Sequence, residues 1–249
     1  MLQFDLVSLC INNRKILNNI SFEVKKGETV LLVGSSGAGK STILRLILGL
    51  LKPTSGRITV MGENIALMSE NELNKIRKRF SLVFQNGALF DSLTLEENVG
   101  FFLRENSDLP DVELKNRVME ITKFLGLENF MHYYPSQISG GMRKRVSIAR
   151  AIVTNPEALL YDEPTAGLDP FAAKKVVDLI IKLQNKFSVT SLIVTHEIHH
   201  FVNVVDRLIM LKNGSISYDG PFDLTILDRF EESEAQAECI PGEEFYADF

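Results

Sequence analysis

Residues 29–42 have the sequence Thr29-Val-Leu-Leu-Val-Gly-Ser-Ser-Gly-Ala-Gly-Lys-Ser-Thr42. The first five form an almost continuous apolar run, which is typical of a parallel strand buried on both faces. The next eight fit the pattern G-x-x-x-x-G-K-[ST], and a helix is predicted from Lys40 to about Leu51. The stretch therefore predicts an α/β fold with a phosphate-binding loop after a central strand.

The residue types of this loop suit the binding of phosphate. Its glycines let the backbone curve closely around an anion and point N–H donors inward, and the helix N-terminus adds partial positive charge. Lys40 can reach the β- and γ-phosphates of a nucleotide, and the Ser41 hydroxyl can bind Mg²⁺. We therefore predict nucleoside triphosphate binding by Gly34, Ser35, Ser36, Gly37, Ala38, Gly39, Lys40 and Ser41.

A second apolar strand, Leu159-Leu-Tyr-Asp-Glu163, ends in two adjacent carboxylates. The carboxyl ends of parallel strands meet at one edge of a sheet, which predicts Asp162 as a Mg²⁺ ligand. Glu163 can polarise a water molecule for attack on the γ-phosphorus. The alternative is a solvated carboxylate pair at the Pro164 turn, and the phosphate loop argues against it.

Two further polar residues follow predicted strands at the same edge. The strand Ser191-Leu-Ile-Val-Thr195 precedes His196, which we expect to contact the γ-phosphate. Gln85 follows the strand Phe80–Phe84 and can reach Mg²⁺ or the attacking water. Glu163, His196 and Gln85 are therefore the predicted catalytic residues.

A second anion-binding pattern opens another predicted helix at Ser139-Gly-Gly141. Ser139 alone would be an ordinary helix cap. Two phosphate cradles in one small domain are difficult to bring to the same nucleotide. A head-to-tail dimer resolves this difficulty, because each chain contributes Ser139, Gly140 and Gly141 to the nucleotide site of the other chain. Ala166-Gly-Leu-Asp169 would then lie at the same interface between the two chains.

The remaining segments predict the domain organisation. Phe4–Leu9 and Ile20–Val24 alternate as antiparallel strands, and residues 86–156 are mainly helical, as an insertion in the α/β body. A helix is predicted over Glu197–Val204, and Asn213-Gly214 predicts a hairpin with a type I′ turn. We predict one domain over residues 1–219 and an acidic extension over residues 220–249.

Composition excludes several classes of protein. The chain has 249 residues, 45% of them hydrophobic, which is incompatible with a disordered or collagen-like chain. It has no apolar run long enough to span a bilayer and no secretory signal, and its two cysteines favour a reduced, cytosolic protein. The net charge of −5 combines −8 over residues 220–249 with +3 over residues 1–219. A basic surplus this small is not typical of a non-specific DNA-binding protein, so we expect no nucleic-acid partner.

These motifs occur in the order and spacing of an ABC transporter ATPase subunit, which residues 4 to about 220 resemble. The resemblance implies two ATP molecules and Mg²⁺ enclosed by a dimer that drives a membrane permease. It implies that Thr42 binds the α-phosphate and that Asp169 couples the two sites. Ile138 replaces the usual leucine before the serine, and Ile11 replaces the adenine-stacking aromatic but can supply an apolar face.

Two segments resemble the Mla/Mce group of lipid-transport ATPases. They are Gln85–Val99 and Ser139–Val146, and Tyr161–Pro170 agrees with them. This resemblance implies a lipid-binding Mce-domain partner beside the permease, and a peripheral position on the cytoplasmic face of the inner membrane. An amino-acid or peptide importer is the alternative cargo class, and a soluble ATPase acting on nucleic acid or ribosomes is a more distant one.

Two further alternatives concern surfaces. Ala88, Leu89, Phe90 and Leu93 follow Gln85, and they form either a docking surface for a permease helix or part of the helical core. The acidic extension mixes aromatic and charged residues, so it either docks on a partner or is a solvated tail.

Overall fold

The computed structural model of the chain describes residues 1–202 and 204–222. Within these ranges, ten strands and six α helices follow one another. The strands are β1 (Leu2–Ile11), β2 (Arg14–Val24), β3 (Thr29–Val33), β4 (Ser55–Val60), β5 (Glu63–Asn64), β6 (Phe80–Val83), β7 (Ala158–Asp162), β8 (Thr190–Thr195), β9 (Arg207–Lys212) and β10 (Ser215–Gly220). The helices are α1 (Lys40–Ile47), α2 (Glu70–Arg77), α3 (Leu95–Asn106), α4 (Asp111–Phe124), α5 (Gly140–Ile152) and α6 (Pro170–Phe187).

The strands form two sheets. The larger has the order β10-β9-β3-β8-β7-β6 and is parallel except for the β9–β10 pair. The smaller is antiparallel, with the order β2-β1-β4-β5. This arrangement confirms the predicted α/β fold with an N-terminal antiparallel sheet and a mostly parallel sheet.

Strand β3 lies inside the larger sheet, between β8 and β9, and all five of its residues are buried. Leu31 and Val33 belong to an apolar core that also contains residues of α3, α4, α5 and α6. Val30 and Leu32 belong to a second core, with residues of α1 and the antiparallel sheet. A strand between two cores needs apolar side chains at successive positions, which explains the continuous apolar run.

Two turns have positive backbone φ angles. Asn12 and Asn13, at 49° and 60°, let β2 fold back on β1, so β2 begins earlier than the predicted Ile20. Asn213 and Gly214, at 50° and 74°, join β9 to β10 with the predicted type I′ geometry. Asparagine and glycine tolerate this left-handed conformation better than other residues.

Two predicted helices differ from the structure. Helix α1 ends at Ile47 instead of Leu51, because Gly49 takes a φ of 62° that stops the helix. The helix predicted over 197–204 is wrong, since the chain forms a 3₁₀ turn over Ile198–Phe201. Ile198 and Phe201 are both buried, and the chain must return to β9 shortly afterwards, which leaves room for a single turn.

Helices α3, α4 and α5 lie between β6 and β7, inside the interval predicted to be helical. Thr94 opens α3 with a reciprocal capping box to Glu97, which satisfies two backbone donors at the helix start. In the described part of the chain, no helix has the length and apolar character needed to cross a membrane. Most of the acidic extension, from residue 223 onward, lies outside the described residues.

Candidate nucleotide site

The phosphate loop connects β3 to α1, at the edge of the sheet where the parallel strands end. Gly37 and Gly39 have φ angles of 79° and 106°, which other residues adopt only with strain. A Cβ atom on Gly34 would lie 2.3 Å from the carbonyl oxygen of Leu211, so a larger residue cannot fit there. The glycines therefore allow both the shape of the loop and its close approach to β9.

Lys40 is held within this loop. Its side chain is buried, and its Nζ donates hydrogen bonds to the carbonyl oxygens of Gly34, at 2.6 Å, and Ser35, at 3.0 Å. The same atom lies 3.7 Å from Oε1 of Glu163. The ammonium group is thus held inside the loop, where it would neutralise the negative charge of a triphosphate.

Ser41 and Asp162 meet at the carboxyl ends of β3 and β7. The Ser41 hydroxyl donates to Oδ1 of Asp162 over 3.0 Å. Burial raises the pKa of Asp162, while this hydrogen bond and the nearby Arg45 and Lys40 oppose the rise. One carboxylate beside one hydroxyl suits Mg²⁺, which prefers oxygen ligands and takes most of the others from water and phosphate.

Glu163 follows the half-buried Asp162 and is itself buried. Its Oε2 lies 3.0 Å from Nδ1 of His196 and accepts a hydrogen bond from the His196 backbone N–H at 3.2 Å. Its own backbone N–H donates to the carbonyl oxygen of Val194 at 2.8 Å. These contacts hold the carboxylate between His196 and Lys40, where it can accept a proton from water.

One cavity of about 1110 Å³ brings most of the predicted residues together. Gln85, Glu163 and His196 line it, and the side chains of Gln85 and His196 are exposed there. The remaining lining residues are Arg14, Lys15, Ile16, Ser35, Ser36, Gly37, Ala38, Gly39, Lys40, Ser41, Thr42, Asn213 and Gly214.

Ile11 lies at the end of β1, and its side chain is exposed on the surface. It is paired with Arg14 across the Asn12–Asn13 turn. The cavity is lined beside this turn by Arg14, Lys15 and Ile16, and not by Ile11. In the single chain, the apolar contribution at this end of the cavity comes from Ile16.

The second cradle lies elsewhere in the chain. Ser139 caps α5 by accepting a hydrogen bond from the Met142 N–H, and Gly141 is close enough to α6 that an added Cβ would lie 3.3 Å from Ala172. Ser139 and Gly141 line a separate cavity of about 200 Å³, which shares no residue with the first. Gly140 precedes Gly141 in the first turn of α5.

Asp169 stands at the beginning of α6, which packs against α5. Its Oδ1 accepts hydrogen bonds from the N–H groups of Phe171 and Ala172, both at 3.0 Å, so the carboxylate caps the helix. Phe171 and Ala172 also line the smaller cavity. Asp169 therefore caps the helix that lines the Ser139 cavity, and it does not line the cavity of Lys40.

The sequence predicted no place in the nucleotide site for Lys144, Arg14 or Asn213. Lys144 is buried, although lysine is usually exposed, and its spacing of four from buried Ile148 on α5 was the available signal. Arg14 and Asn213 line the larger cavity from two hairpins. No local pattern in the sequence marks their approach to the phosphate loop.

The chain matches one known protein family and is similar to several named proteins. A family model described as ABC transporter matches residues 17–166. The chain is 41% identical over 206 residues to the methionine import ATP-binding protein MetN of Carboxydothermus hydrogenoformans, covering 83% of this chain and 61% of that protein. It is also 41% identical over 224 residues to the chloroplastic protein TRIGALACTOSYLDIACYLGLYCEROL 3 of Arabidopsis thaliana, covering 83% and 64%.

The chain thus spans less than two thirds of the length of these two relatives. Among solved structures, it is similar to a dimeric ATP-binding cassette in a post-hydrolysis state bound to ADP and Pi. The TM-score is 0.80 and the identity 33%, over 90% of this chain and 99% of that chain.

Proposed function

We propose that this chain, which belongs to the ABC transporter family, hydrolyses ATP to drive a membrane transporter. The chain is an ATP-binding domain of that family, as the match over residues 17–166 and the similar solved cassette indicate. The proposed ATPase domain covers residues 1–219, with the helical insertion at about 86–156. The proposal extends to the whole transporter, its cargo and its other subunits.

The observation that carries the proposal is the separation of the two cradles. The Lys40 loop lines one cavity and Ser139 lines another, so a single chain encloses a nucleotide from one side only. Two chains packed head to tail place Ser139, Gly140 and Gly141 of one against the loop of the other. The similar solved cassette is itself a dimer with ADP and Pi, which supports this arrangement.

Within each composite site, the residues have distinct roles. The backbone N–H groups of residues 34–41 and the Lys40 ammonium bind the β- and γ-phosphates, and Thr42 binds the α-phosphate. Ser41, Asp162 and Gln85 would hold Mg²⁺, which supplies positive charge to the phosphate oxygens. The partner's cradle completes the enclosure, and Asp169 links the two sites across the interface between the two chains.

Hydrolysis then needs one proton acceptor. A water oxygen attacks the γ-phosphorus, the bond to the ADP oxygen breaks, and the water proton passes to the Glu163 carboxylate. The hydrogen bond from the His196 backbone N–H and the neighbouring Nδ1 keep that carboxylate in place. Products are ADP and inorganic phosphate.

The proposal predicts that specific ATPase activity depends on protein concentration. A site built from two chains loses activity on dilution, because the dimer dissociates by mass action. Steady-state phosphate release, measured over a hundredfold dilution at saturating ATP, should show specific activity falling with concentration. Activity that stays constant while light scattering shows a monomer would contradict the composite site.

Replacing Ser41 by alanine should increase the Mg²⁺ concentration required for half-maximal hydrolysis by about 10-fold, by analogy with lost metal-site contacts. The substitution removes one oxygen ligand and the hydrogen bond to Asp162. The matched control is Ser81→Ala, because the Ser81 hydroxyl contacts Thr154 and neither residue lines the nucleotide cavity. An unchanged Mg²⁺ requirement in Ser41→Ala would remove Ser41 from the metal site.

A permease surface is proposed beside Gln85. Ala88 is exposed, Phe90 is 44% exposed and Leu89 and Leu93 are half-buried, so the segment is not enclosed in the helical core. Phe90 packs against Phe101 with ring centroids 4.6 Å apart and ring planes tilted by 43°, which holds an apolar face at the surface. A permease helix from the membrane would cover this face, with the chain peripheral on its cytoplasmic side.

For the cargo, we propose an amino acid of the methionine class. The MetN relative is named for methionine import, so the comparisons favour the amino-acid importer over the lipid transport that the Mla/Mce motifs predicted. Lipid transport with an Mce-domain partner is the second candidate. A relative of equal identity carries the name of a galactolipid, trigalactosyldiacylglycerol, which is the observation in its favour.

The two cargo classes differ in what a reconstituted transporter accumulates. Proteoliposomes that contain this chain with its permease should take up radiolabelled L-methionine in the presence of ATP. The same vesicles prepared with Glu163→Gln provide the background. Absence of amino-acid uptake, together with ATP-dependent transfer of a fluorescent phospholipid, would replace the first candidate by the second.

A further inference from the structure

Helix α5 presents three polar side chains to one loop. Lys144, Ser147 and Arg150 are spaced three residues apart, which places them along one side of the helix. Ser147 and Arg150 donate to the carbonyl oxygen of Gly87, at 3.0 Å and 2.8 Å, and Arg150 also donates to Ala88 at 2.6 Å. The loop that carries Gln85 is therefore attached to α5 through its main chain.

Lys144 differs from the other two because its two targets lie in different segments of the chain. Its Nζ donates to the carbonyl oxygen of Gln85 and, over 3.0 Å, to the carbonyl oxygen of Glu163. The residue is 5% exposed, so this ammonium has little access to water. A single buried group thus connects the helix that begins at Ser139 with two segments of the catalytic cavity.

The backbone of Glu163 needs such support. Its φ angle is 49°, a left-handed conformation that costs a non-glycine residue on the order of 1 kcal/mol. The N–H of Glu163 is bonded to Val194, and its carbonyl oxygen is bonded to Lys144. The two bonds fix the peptide on both sides of Glu163 and therefore fix the direction of its carboxylate.

Burial and nearby carboxylates act on the Lys144 ammonium in opposite directions, and burial has the larger effect. Burial lowers the pKa of Lys144, and the carboxylates of Glu163, Glu197 and Asp162 counteract that effect. A hydrogen bond from a charged donor is about twice as strong as a neutral one, so the ammonium holds both carbonyl oxygens firmly. An apolar side chain of similar length would fill the space and leave both oxygens without this donor.

We propose that Lys144 is a positioning residue for hydrolysis, which ties Gln85 and Glu163 to the helix of the Ser139 cradle. The inference rests on the proposed ATPase function and adds to it a mechanical link inside one chain. When the cradle engages the partner's nucleotide, α5, the Gln85 loop and the Glu163 peptide move as one unit. Hydrolysis in this chain's own site would then respond to closure on the other nucleotide.

The test compares Lys144→Met with Lys144→Gln. Methionine keeps the volume and removes the donor, whereas glutamine keeps two N–H donors and removes the charge. Lys182→Met is the control, because Lys182 is exposed on α6 and belongs to neither cavity. Amide hydrogen exchange is measured in nucleotide-free protein, and ATPase kinetics are measured in the same preparations.

We expect Lys144→Met to accelerate amide exchange at least about tenfold in both 85–90 and 163–168, with no change elsewhere on the sheet. Its kcat should fall about 10- to 100-fold with KM within about twofold, since ground-state ATP binding does not use Lys144. In Lys144→Gln, the amide exchange rates and the kcat should return most of the way to the values of the parent protein. Lys182→Met should match the parent protein in both measurements.

If Lys144→Met accelerates amide exchange in only one of the two segments, or in neither, Lys144 does not link them. That result would overturn the proposal even if the parent protein hydrolyses ATP normally. Equal behaviour of the methionine and glutamine variants would also overturn it, because volume rather than hydrogen bonding would then matter. If Lys144→Met does not fold, Lys144→Leu replaces it in the same comparison, because leucine also removes the donor without adding volume. The exchange readout uses no ATP, so it is distinguishable from failure of the ATPase function itself.

Discussion

Replacing Glu163 by glutamine should lower the kcat for ATP hydrolysis by about 100- to 1000-fold while leaving ATP affinity within about threefold, because it removes a general base. Glutamine has nearly the shape of glutamate but cannot accept the water proton. The Ser41–Asp162 pair, which we propose as Mg²⁺ ligands, and the Lys40 loop are untouched. ATP should therefore bind, close the dimer and remain unhydrolysed.

The trapped dimer is the direct measurement. Size-exclusion chromatography of Glu163→Gln with Mg²⁺ and ATP should show a dimer, and ADP should give a monomer. Glu157→Gln is the matched control, because Glu157 pairs with Arg79 at 2.6 Å away from the catalytic cavity. Near-normal turnover in Glu163→Gln would show that another group accepts the proton.

Replacing Ser139 by arginine should reduce ATPase activity at least about 100-fold while each chain still binds ATP, since composite sites act as a unit. The smaller cavity beside Ser139 is about 200 Å³, and an arginine side chain there occupies the space that the partner's nucleotide needs. The loop of the same chain lies in a different cavity, so its own binding of ATP persists.

Two comparisons separate this effect from a loss of stability. Ser139→Ala removes the hydrogen bond to Met142 without adding bulk, and it should cost about 1 kcal/mol of unfolding free energy, as other lost helix caps do. The double variant Ser139→Arg/Glu163→Gln should remain monomeric with ATP, in contrast to Glu163→Gln alone. An unchanged ATPase rate in Ser139→Arg would place the nucleotide within one chain.

The sequence was sufficient for the parts of the site that depend on local pattern. An apolar strand followed by a glycine-rich loop and lysine determines both the backbone path and the chemistry at residues 29–42. Parallel strands end at one edge, so the positions of Asp162, Glu163 and His196 relative to that loop follow from strand order. The contacts of Glu163 with Lys40 and His196 agree with this inference.

Other parts depend on tertiary contacts that no local pattern encodes. The Asn18 N–H donates to the carbonyl oxygen of Gly214 at 2.8 Å, and a Cβ on Gly214 would lie 2.4 Å from the oxygen of Ile16. This close approach of two hairpins brings Asn213 and Arg14 to the cavity. The Asn213–Gly214 turn was predicted from its sequence. Its contact with the β1–β2 hairpin was not, because that contact depends on how the two sheets pack.

Lys144 illustrates a different limit. Its position on α5 follows from helical periodicity, yet its partners are main-chain oxygens of Gln85 and Glu163, which have no side-chain signature in the sequence. The short turn over Ile198–Phe201 is a related case. Its apolar spacing fits a helix as well as a single turn, and the distance back to β9 decides between them.

The alternation of side chains along β3 has a consequence for unfolding. Leu31 and Leu32 are neighbours in β3 but belong to different cores. Unfolding of either core would remove β3 from the other core, so the two cores should unfold together. The described α/β body should behave thermodynamically as one cooperative block. A nucleotide held by the loop at the end of β3 would then protect both halves of that block together.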